Sequence, residues 1–411
     1  MRFALLGNHP DGLSMARALA ASGRHALVAY AGPVPGFEAL RQAGLHPKGT
    51  ADPEEVLADP AVEAVIVAGN PGDRAVQLRR ALQSERHVLC VHPADPSPDI
   101  AYEAAMLQGD TRHVLLPLLG DALHPGVARL AEMLRQPDGP LGAIRLIVVE
   151  HACSDEGVRD TNLATQPPSL PGWDVLRTLA GEVVELSAFA LHEEVLPGEP
   201  LLLAGRTESG ILLHASFLAG QPDSVRRFTV MGSRGRAVLT LPPRWPGPAE
   251  LCWQAGETRD RQDWPAWEPW PALVEVFETA LATPATTKPR PATPKPRPLG
   301  PGPAASPTWH DEVRALELDD AARRSVARRR ASALEYQEVS EEVGFKGTMT
   351  LVGCGLLWGV LVLVILAAWE RRFLLLVIPA LLIFLGLQLF RWVIPAPPPA
   401  ERRDERQTPA A

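Results

Sequence analysis

Cysteine is scarce and scattered. The four cysteines of this 411-residue chain, Cys90, Cys153, Cys252 and Cys354, form no CxxC pair and no metal-like spacing. This excludes a disulfide framework and a zinc site, and it is the usage of a reducing compartment. Positive charge is not in excess either: 40 Lys and Arg against 48 Asp and Glu leave a formal net charge of −8, which argues against a general nucleic-acid binder. The start, MRFALLGN, lacks an apolar signal region and a small-residue cleavage site, so nothing is expected to export the body. No internal repeat is present.

The clearest positive signal lies near the C-terminus. Residues 348–369 carry no charge, and at about 1.5 Å per residue they make a helix of roughly 30 Å, the thickness of a bilayer's hydrocarbon core. Glu370, Arg371 and Arg372 interrupt the run, and a second apolar stretch follows over 373–394, with Arg391 near its end. So short a break predicts a transmembrane hairpin, with Trp369 and Trp392 at headgroup level. A polar stripe, the mark of a soluble helix, is missing from both. Arg328, Arg329, Arg330 and Lys346 precede the hairpin, and Arg402, Arg403 and Arg406 follow it. This bias predicts a two-helix membrane protein with both termini in the cytoplasm and the lipid bilayer as a partner. Gly355 and Gly359 form a GxxxG through which a homodimer could pack. A juxtamembrane segment (336–347) and a disordered tail (395–411) flank the pair.

About 340 residues precede the anchor, enough for two domains. An apolar run, Phe3–Leu6, ends at Gly7, and LSMARALAASG follows with apolar residues at helical spacing. Strand, glycine turn and helix open a dinucleotide-binding unit, in which phosphates meet the helix N-terminus. Residues 26–31, 62–68 and 87–91 read as further strands around a helical run at 74–83, which predicts a doubly wound parallel sheet. The fingerprint G-x-G-x-x-G is incomplete, because the chain has Gly7, His9 and Gly12, with Pro10 lacking an N–H. Where an acid should hold the ribose stand Tyr30, Ala31 and Gly32.

The segment DPEEVLADPAVEAVIVAGNPGDRAVQLRRALQSERHVLCVHP (52–93) resembles the glucose–fructose oxidoreductase / inositol dehydrogenase (Gfo/Idh/MocA) family. LGAIRLIVV (141–149), WDVLRTLAGEVVELSAFA (173–190), FTVMGSRGRAVLTL (228–241) and ALELDDAARRSVARRR (315–330) are similar to that family's second domain in the same order. The resemblance implies a Rossmann-type domain at 1–120 and an α+β domain with a large, mostly antiparallel sheet at 121–335. It also implies NAD or NADP as cofactor and a small sugar-like ligand. The cofactor would lie against Gly7, His9 and Gly12, against Gly69 and Asn70, and against Pro93.

The departures from the family bear on chemistry. Its "EKP" lysine, implied to orient substrate and move protons, is here His92 within Val91-His92-Pro93. Its second motif, D-x-G-x-H-x-x-D, aligned on Asp174, puts Pro171 at the histidine and Pro167 at the first aspartate. A proline moves no proton. His92 can, since imidazole titrates near neutrality, and His151 is a further candidate; His92 as a drifted scaffold position is the alternative. Two functions follow: an NAD(P)-dependent dehydrogenase acting on a sugar or polyol CH–OH group, with eroded catalytic motifs and weak cofactor retention, or a non-catalytic ligand-binding or scaffolding module.

Half of the ten tryptophans lie between Trp245 and Trp270. They line a binding face or belong to an irregular loop pinned on its own domain. The Pro-rich run 283–307 is extended with polyproline II character. It reads as an insertion in the second domain or as a linker, and as a ligand for an SH3-like domain, a lipid-brushing segment or a plain flexible insertion. Five arginines between Arg323 and Arg330 stand where each surface cation gains about 1 kcal/mol from an anionic leaflet.

Overall fold

The computed structural model describes residues 1–109, 111, 113–136, 138–152, 170, 172–196, 199–218, 224–282, 306–329 and 332–333. All fall in one unit, Met1–Tyr336. Among the described residues no helix is long and apolar enough to cross a membrane. The predicted hairpin at 348–369 and 373–394, with its flanks and its GxxxG, lies outside the described residues. So do Pro167, Pro171, Arg330 and the Pro-rich run over 283–305.

Six parallel strands form the first sheet: β1 (Arg2–Gly7), β2 (Ala26–Ala31), β3 (Lys48–Thr50), β4 (Ala64–Ala68), β5 (His87–Cys90) and β6 (Leu115–Pro117), in the order β3-β2-β1-β4-β5-β6. The order reverses between β1 and β4, as the doubly wound reading expects. Both central strands are apolar along their length because helices cover both faces; Phe3 to Leu6 and Ala64 to Ala68 are all buried. Helix α1 (Pro10–Ala21) buries Gly12, Met15, Ala16 and Leu19, an i, i+3, i+4, i+7 stripe. Helices α2 (Val34–Gln42), α3 (Pro53–Ala58), α4 (Pro71–Gln83) and α5 (Pro98–Gly109) complete the wrapping.

The second sheet has nine strands: β7 (Ile144–Ala152), β8 (Val183–Ala190), β9 (Leu201–Thr207), β10 (Leu212–Leu218), β11 (Val225–Gly232), β12 (Gly235–Leu241), β13 (Gly247–Ala255), β14 (Thr258–Trp267) and β15 (Ser332–Ala333). Their order is β14-β13-β12-β11-β7-β10-β9-β8-β15, and only β7 and β10 run parallel. This is the large, mostly antiparallel sheet that the resemblance implied. Its inward residues, among them Ile147, Val149, Leu203, Phe228 and Leu239, pack on helices α6 (Pro125–Leu134) and α7 (Trp173–Ala180). The Trp-rich stretch is not an irregular loop. It is mainly the β13–β14 hairpin, because its alternating residues pair in antiparallel register from Gly247↔Trp267 to Ala255↔Thr258.

Two helices from beyond residue 120 return to the first sheet. Helix α8 (Trp270–Ala282) adds Leu273, Val274 and Phe277 to the core around α1. Helix α9 (Trp309–Arg328) opens with a capping box between Thr308 and Asp311. Its Trp309, Val313 and Leu316 enter the first core, while Ala315, Leu318, Ala322 and Val326 enter the second. One helix therefore ties both sheets together, with its first turn beside the end of β5.

Candidate functional site

Three loops meet at the carboxyl ends of β1, β4 and β5, the place where such sheets bind ligands. The chain turns at Gly7 with φ +97°, where a Cβ would lie 2.2 Å from the Ala68 carbonyl oxygen. At Gly12 a Cβ would lie 2.3 Å from that of Ala68. Both glycines thus let β1 and α1 close on β4, as the outer glycines of a dinucleotide fingerprint do. His9, at the middle position, is the N-cap of α1. Its amide donates to the Ala68 carbonyl at 3.1 Å, and its Nδ1 accepts the Asp11 amide at 3.2 Å.

In the second loop, Gly69 and Asn70 lead into α4, and the Asn70 carbonyl accepts the amides of Asp73 and Arg74, each at 2.9 Å. The buried Arg74 turns back to donate from Nε and Nη2 to the Gly69 carbonyl, at 3.2 and 3.0 Å, and from Nη1 to the Pro93 carbonyl. One guanidinium so fastens the loop after β4 to the loop after β5. In the third loop, His92 precedes Pro93 through a cis peptide bond. Its Nδ1 lies 2.7 Å from Glu312 Oε2, and Glu312 Oε1 accepts the Ala94 amide at 2.8 Å. Glu312 is only 1% exposed.

The chain beyond residue 120 supplies the groups around these loops. Asp174, in the first turn of α7, accepts the Ala122 amide at 3.0 Å. Asp121, in the 3₁₀ turn Asp121–Leu123, accepts the Trp245 indole N–H at 2.6 Å and also holds Arg226. The Arg226 guanidinium sits 5.5 Å from the centre of the Trp245 ring. Fully buried His124 stacks on Trp245 at 5.5 Å and meets Trp267 and Trp264 at steep angles. The tryptophans therefore wall the back of Asp121. His151, at the end of β7, stands opposite Arg226 in register.

The electrostatics follow from this crowding. Burial, with Asp121 adding to it, pushes the Asp11 carboxyl up to about 6, while Arg74 and His92 pull it down. Burial and Asp121 likewise raise Asp174 to about 6 against the amides of Ala122 and Val175. Burial, then Arg74, presses His9 down to about 4; burial, then Arg226, does the same to His151. Burial alone would also lower His92, but the charge and hydrogen bond of Glu312, with Asp319 and Asp174 further off, outweigh it and raise the imidazole above its ordinary value. The arrangement offers a histidine whose protonated form Glu312 favours, two carboxyls raised to about 6, and an arginine fixed on an indole.

No family model matches the chain, and no curated protein matches it in sequence. Solved structures do match in shape. A levoglucosan dehydrogenase in complex with NADH and L-sorbose is 16% identical, with a TM-score of 0.63 over 82% of this chain and 99% of its own. A myo-inositol dehydrogenase from Lactobacillus casei, in complex with NAD(H) and myo-inositol, is 18% identical, with a TM-score of 0.58 over 83% and 98%. A 3-ketoreductase from Actinomadura kijaniata, in complex with NADP, is 17% identical, with a TM-score of 0.62 over 79% and 97%. The chain has their fold. It is the fold of Gfo/Idh/MocA-type dehydrogenases, a Rossmann-type half joined to a half built on a large sheet.

A nicotinamide dinucleotide suits this site at one end only. The glycine packing at Gly7 and Gly12 fits it. The phosphate end does not, because the N–H groups at positions 9 and 11 are used by the chain itself and Pro10 has none. At the ribose corner the last residue of β2 is Ala31, and the neighbouring Tyr30 hydroxyl donates to the Pro33 carbonyl at 2.7 Å. No carboxylate stands on that strand end.

The candidates Gly7, His9, Gly12, Gly69, Asn70, His92 and Pro93 all lie on these three loops. Glu312, Arg74, Asp121 and Arg226 were not singled out from the sequence. Glu312 sits 220 positions from His92, and nothing local marks it. Asp11, adjoining the glycine turn, could have been noticed as a carboxylate placed where phosphates bind.

Proposed function

We propose that this protein is an oxidoreductase-type body that binds a small sugar or polyol beside His92, and that it works as a ligand-binding module rather than a nicotinamide-dependent dehydrogenase. The observation that carries the reading is the His92–Glu312 pair, 2.7 Å between Nδ1 and Oε2, at the end of β5. That is where the family resemblance places a substrate-orienting lysine. A protonated imidazole donates to a hydroxyl oxygen as an ammonium does, and the Glu312 carboxylate favours that form. Asp174 and Asp121 add acceptors across from it, which suits a ligand with several hydroxyls. The levoglucosan and inositol dehydrogenases of the same fold, seen with L-sorbose and myo-inositol, support that ligand class. On this reading the body is held to a membrane by helices at 348–369 and 373–394, with both termini cytoplasmic.

A second reading, NAD(P)-dependent oxidation of the same ligand, is favoured by the glycine packing at Gly7 and Gly12 and by the cofactors of those structures. His92 would then take the hydroxyl proton. The test is calorimetric titration of the full chain with myo-inositol, levoglucosan and L-sorbose, for the parent and for His92→Ala, alongside turnover assays with both cofactors. The proposal expects binding that His92→Ala loses, without turnover. Turnover in the parent that disappears in His92→Ala would establish the second reading. Absence of binding by the parent would refute both.

A further inference from the structure

We infer that the imidazole of His9 occupies the seat of a cofactor pyrophosphate at the N-terminus of α1, so that this Rossmann-type half is closed to dinucleotides from within. In such folds the phosphates are held by backbone N–H groups that the first helical turn leaves without intrahelical partners. Here positions 9 to 11, the centre of the fingerprint, offer no available N–H, which leaves only that of Gly12 in the first turn. The His9 N–H donates to the Ala68 carbonyl at 3.1 Å, and Pro10 has no N–H. The Asp11 N–H, the amide a phosphate oxygen would take next, donates to His9 Nδ1 at 3.2 Å. Nδ1 can accept only in the neutral imidazole, and burial beside Arg74 keeps His9 neutral, with its pKa down at about 4.

Two further features close the seat. The Asp11 carboxylate lies 3.8 Å from His9 Nδ1, in the first turn of α1. At pH 7 most of it is ionised, even with its pKa raised to about 6, so it would repel an incoming phosphate. The ribose corner is also filled by the chain. A Cβ at Gly36 would lie 2.2 Å from the Tyr30 hydroxyl and 2.8 Å from the Asn8 Cβ, so the first turn of α2 rests directly on the glycine turn. Arg74 donates to the Gly69 and Pro93 carbonyls, so its positive charge reaches the seat through space and not as a direct ligand. This inference does not depend on the ligand proposed for His92, and either can fail alone.

The experiment is a fluorescence titration of the full chain with NADH and NADPH, with thermal unfolding read at millimolar nucleotide. The parent is expected to show no saturable binding and no rise in melting temperature. His9→Gly combined with Pro10→Ala frees the amide at 11 and adds one at 10, and should bind NADH tighter by at least about tenfold, the worth of one charge-assisted hydrogen bond. Adding Ala31→Asp should strengthen NADH and not NADPH, since a carboxylate holds a ribose hydroxyl and repels a 2′-phosphate. If the double variant fails to fold, His9→Gly alone serves instead, because glycine is tolerated at an N-cap and leaves the amide at 11 free. Micromolar NADH binding by the parent would overturn the inference. So would folded variants that bind no better than the parent.

Discussion

Replacing Glu312 by Gln removes one negative charge from the site and little else. The amide keeps an oxygen for the Ala94 N–H, which Glu312 Oε1 accepts at 2.8 Å, and the side chain keeps its length. What is lost is the charge-assisted bond to His92 at 2.7 Å. Breaking a buried ion pair costs about 3–5 kcal/mol when the orphaned charge must stay. An imidazole can release its proton instead, so the loss here is closer to the worth of a hydrogen bond to a charged group, about 1.5–3 kcal/mol. The sign with pH follows from the raised pKa of His92. A histidine whose folded value exceeds its unfolded one contributes stability that is complete below about pH 6.5 and fades as pH rises through the folded value. The variant's deficit should therefore be full near pH 5.5 and smaller near pH 9. For a body of this size, with roughly 2.1 cal/mol/K of unfolding entropy per residue, the full deficit is a fall of about 2–4 °C in melting temperature. Thermal unfolding of the full chain by tryptophan fluorescence at the two pH values measures it. NMR of the His92 imidazole nitrogens should show a lower pKa in the variant. A deficit that does not change with pH would refute the pairing as the origin of the raised pKa.

Two other outcomes follow from the same structure. His124, buried among Trp245, Trp264 and Trp267, has its pKa lowered to about 4 by burial, so the unfolded chain binds a proton there from about pH 6.5 downward while the folded one does not. Relative to His124→Asn, which keeps an N-cap for α6, the parent should lose about 3 kcal/mol of stability between pH 7 and pH 4; denaturant titrations that show a constant difference would contradict this. Truncation after Glu338 should release a folded body into solution, and reporters fused at Met1 and after Ala411 should lie on the same side of the membrane. Reporters on opposite sides, or a truncated chain that stays with membranes in high salt, would disprove the hairpin.

The sequence made legible what is local. Apolar runs gave β1, β4 and β5, since a strand buried on both faces needs little besides apolar residues. The helical stripe Met15, Ala16, Leu19 gave α1, although the helix starts earlier than its apolar spacing implied. Pro10 opens it, a start signal rather than a periodic one, and the less usual cap His9 precedes it. The β13–β14 hairpin hid behind its tryptophans and prolines, because strand patterning there is outweighed by residues that usually mark loops.

The chemistry was legible only in part, for a different reason. His92 stood out because it interrupts a recognisable triplet. Its partner Glu312 is brought to it by α9, and nothing in the residues around Glu312 distinguishes it from the other acids of a helix whose first turn and interior carry several. The same holds for Asp121 and Arg226, one in the 3₁₀ turn and the other on β11, which stand 105 positions apart in sequence. His9 is the intermediate case. Its place in the glycine fingerprint flagged a loss, the absence of a middle glycine. The fold adds that the substitution is a replacement, since the imidazole takes over the amide that the phosphate would have held. A glycine turn missing its ligand would leave that amide exposed at a helix N-terminus. A turn that supplies its own acceptor has no such deficit, and Gly7 and Gly12 serve the packing of β1 and α1 on β4 whether or not a dinucleotide binds.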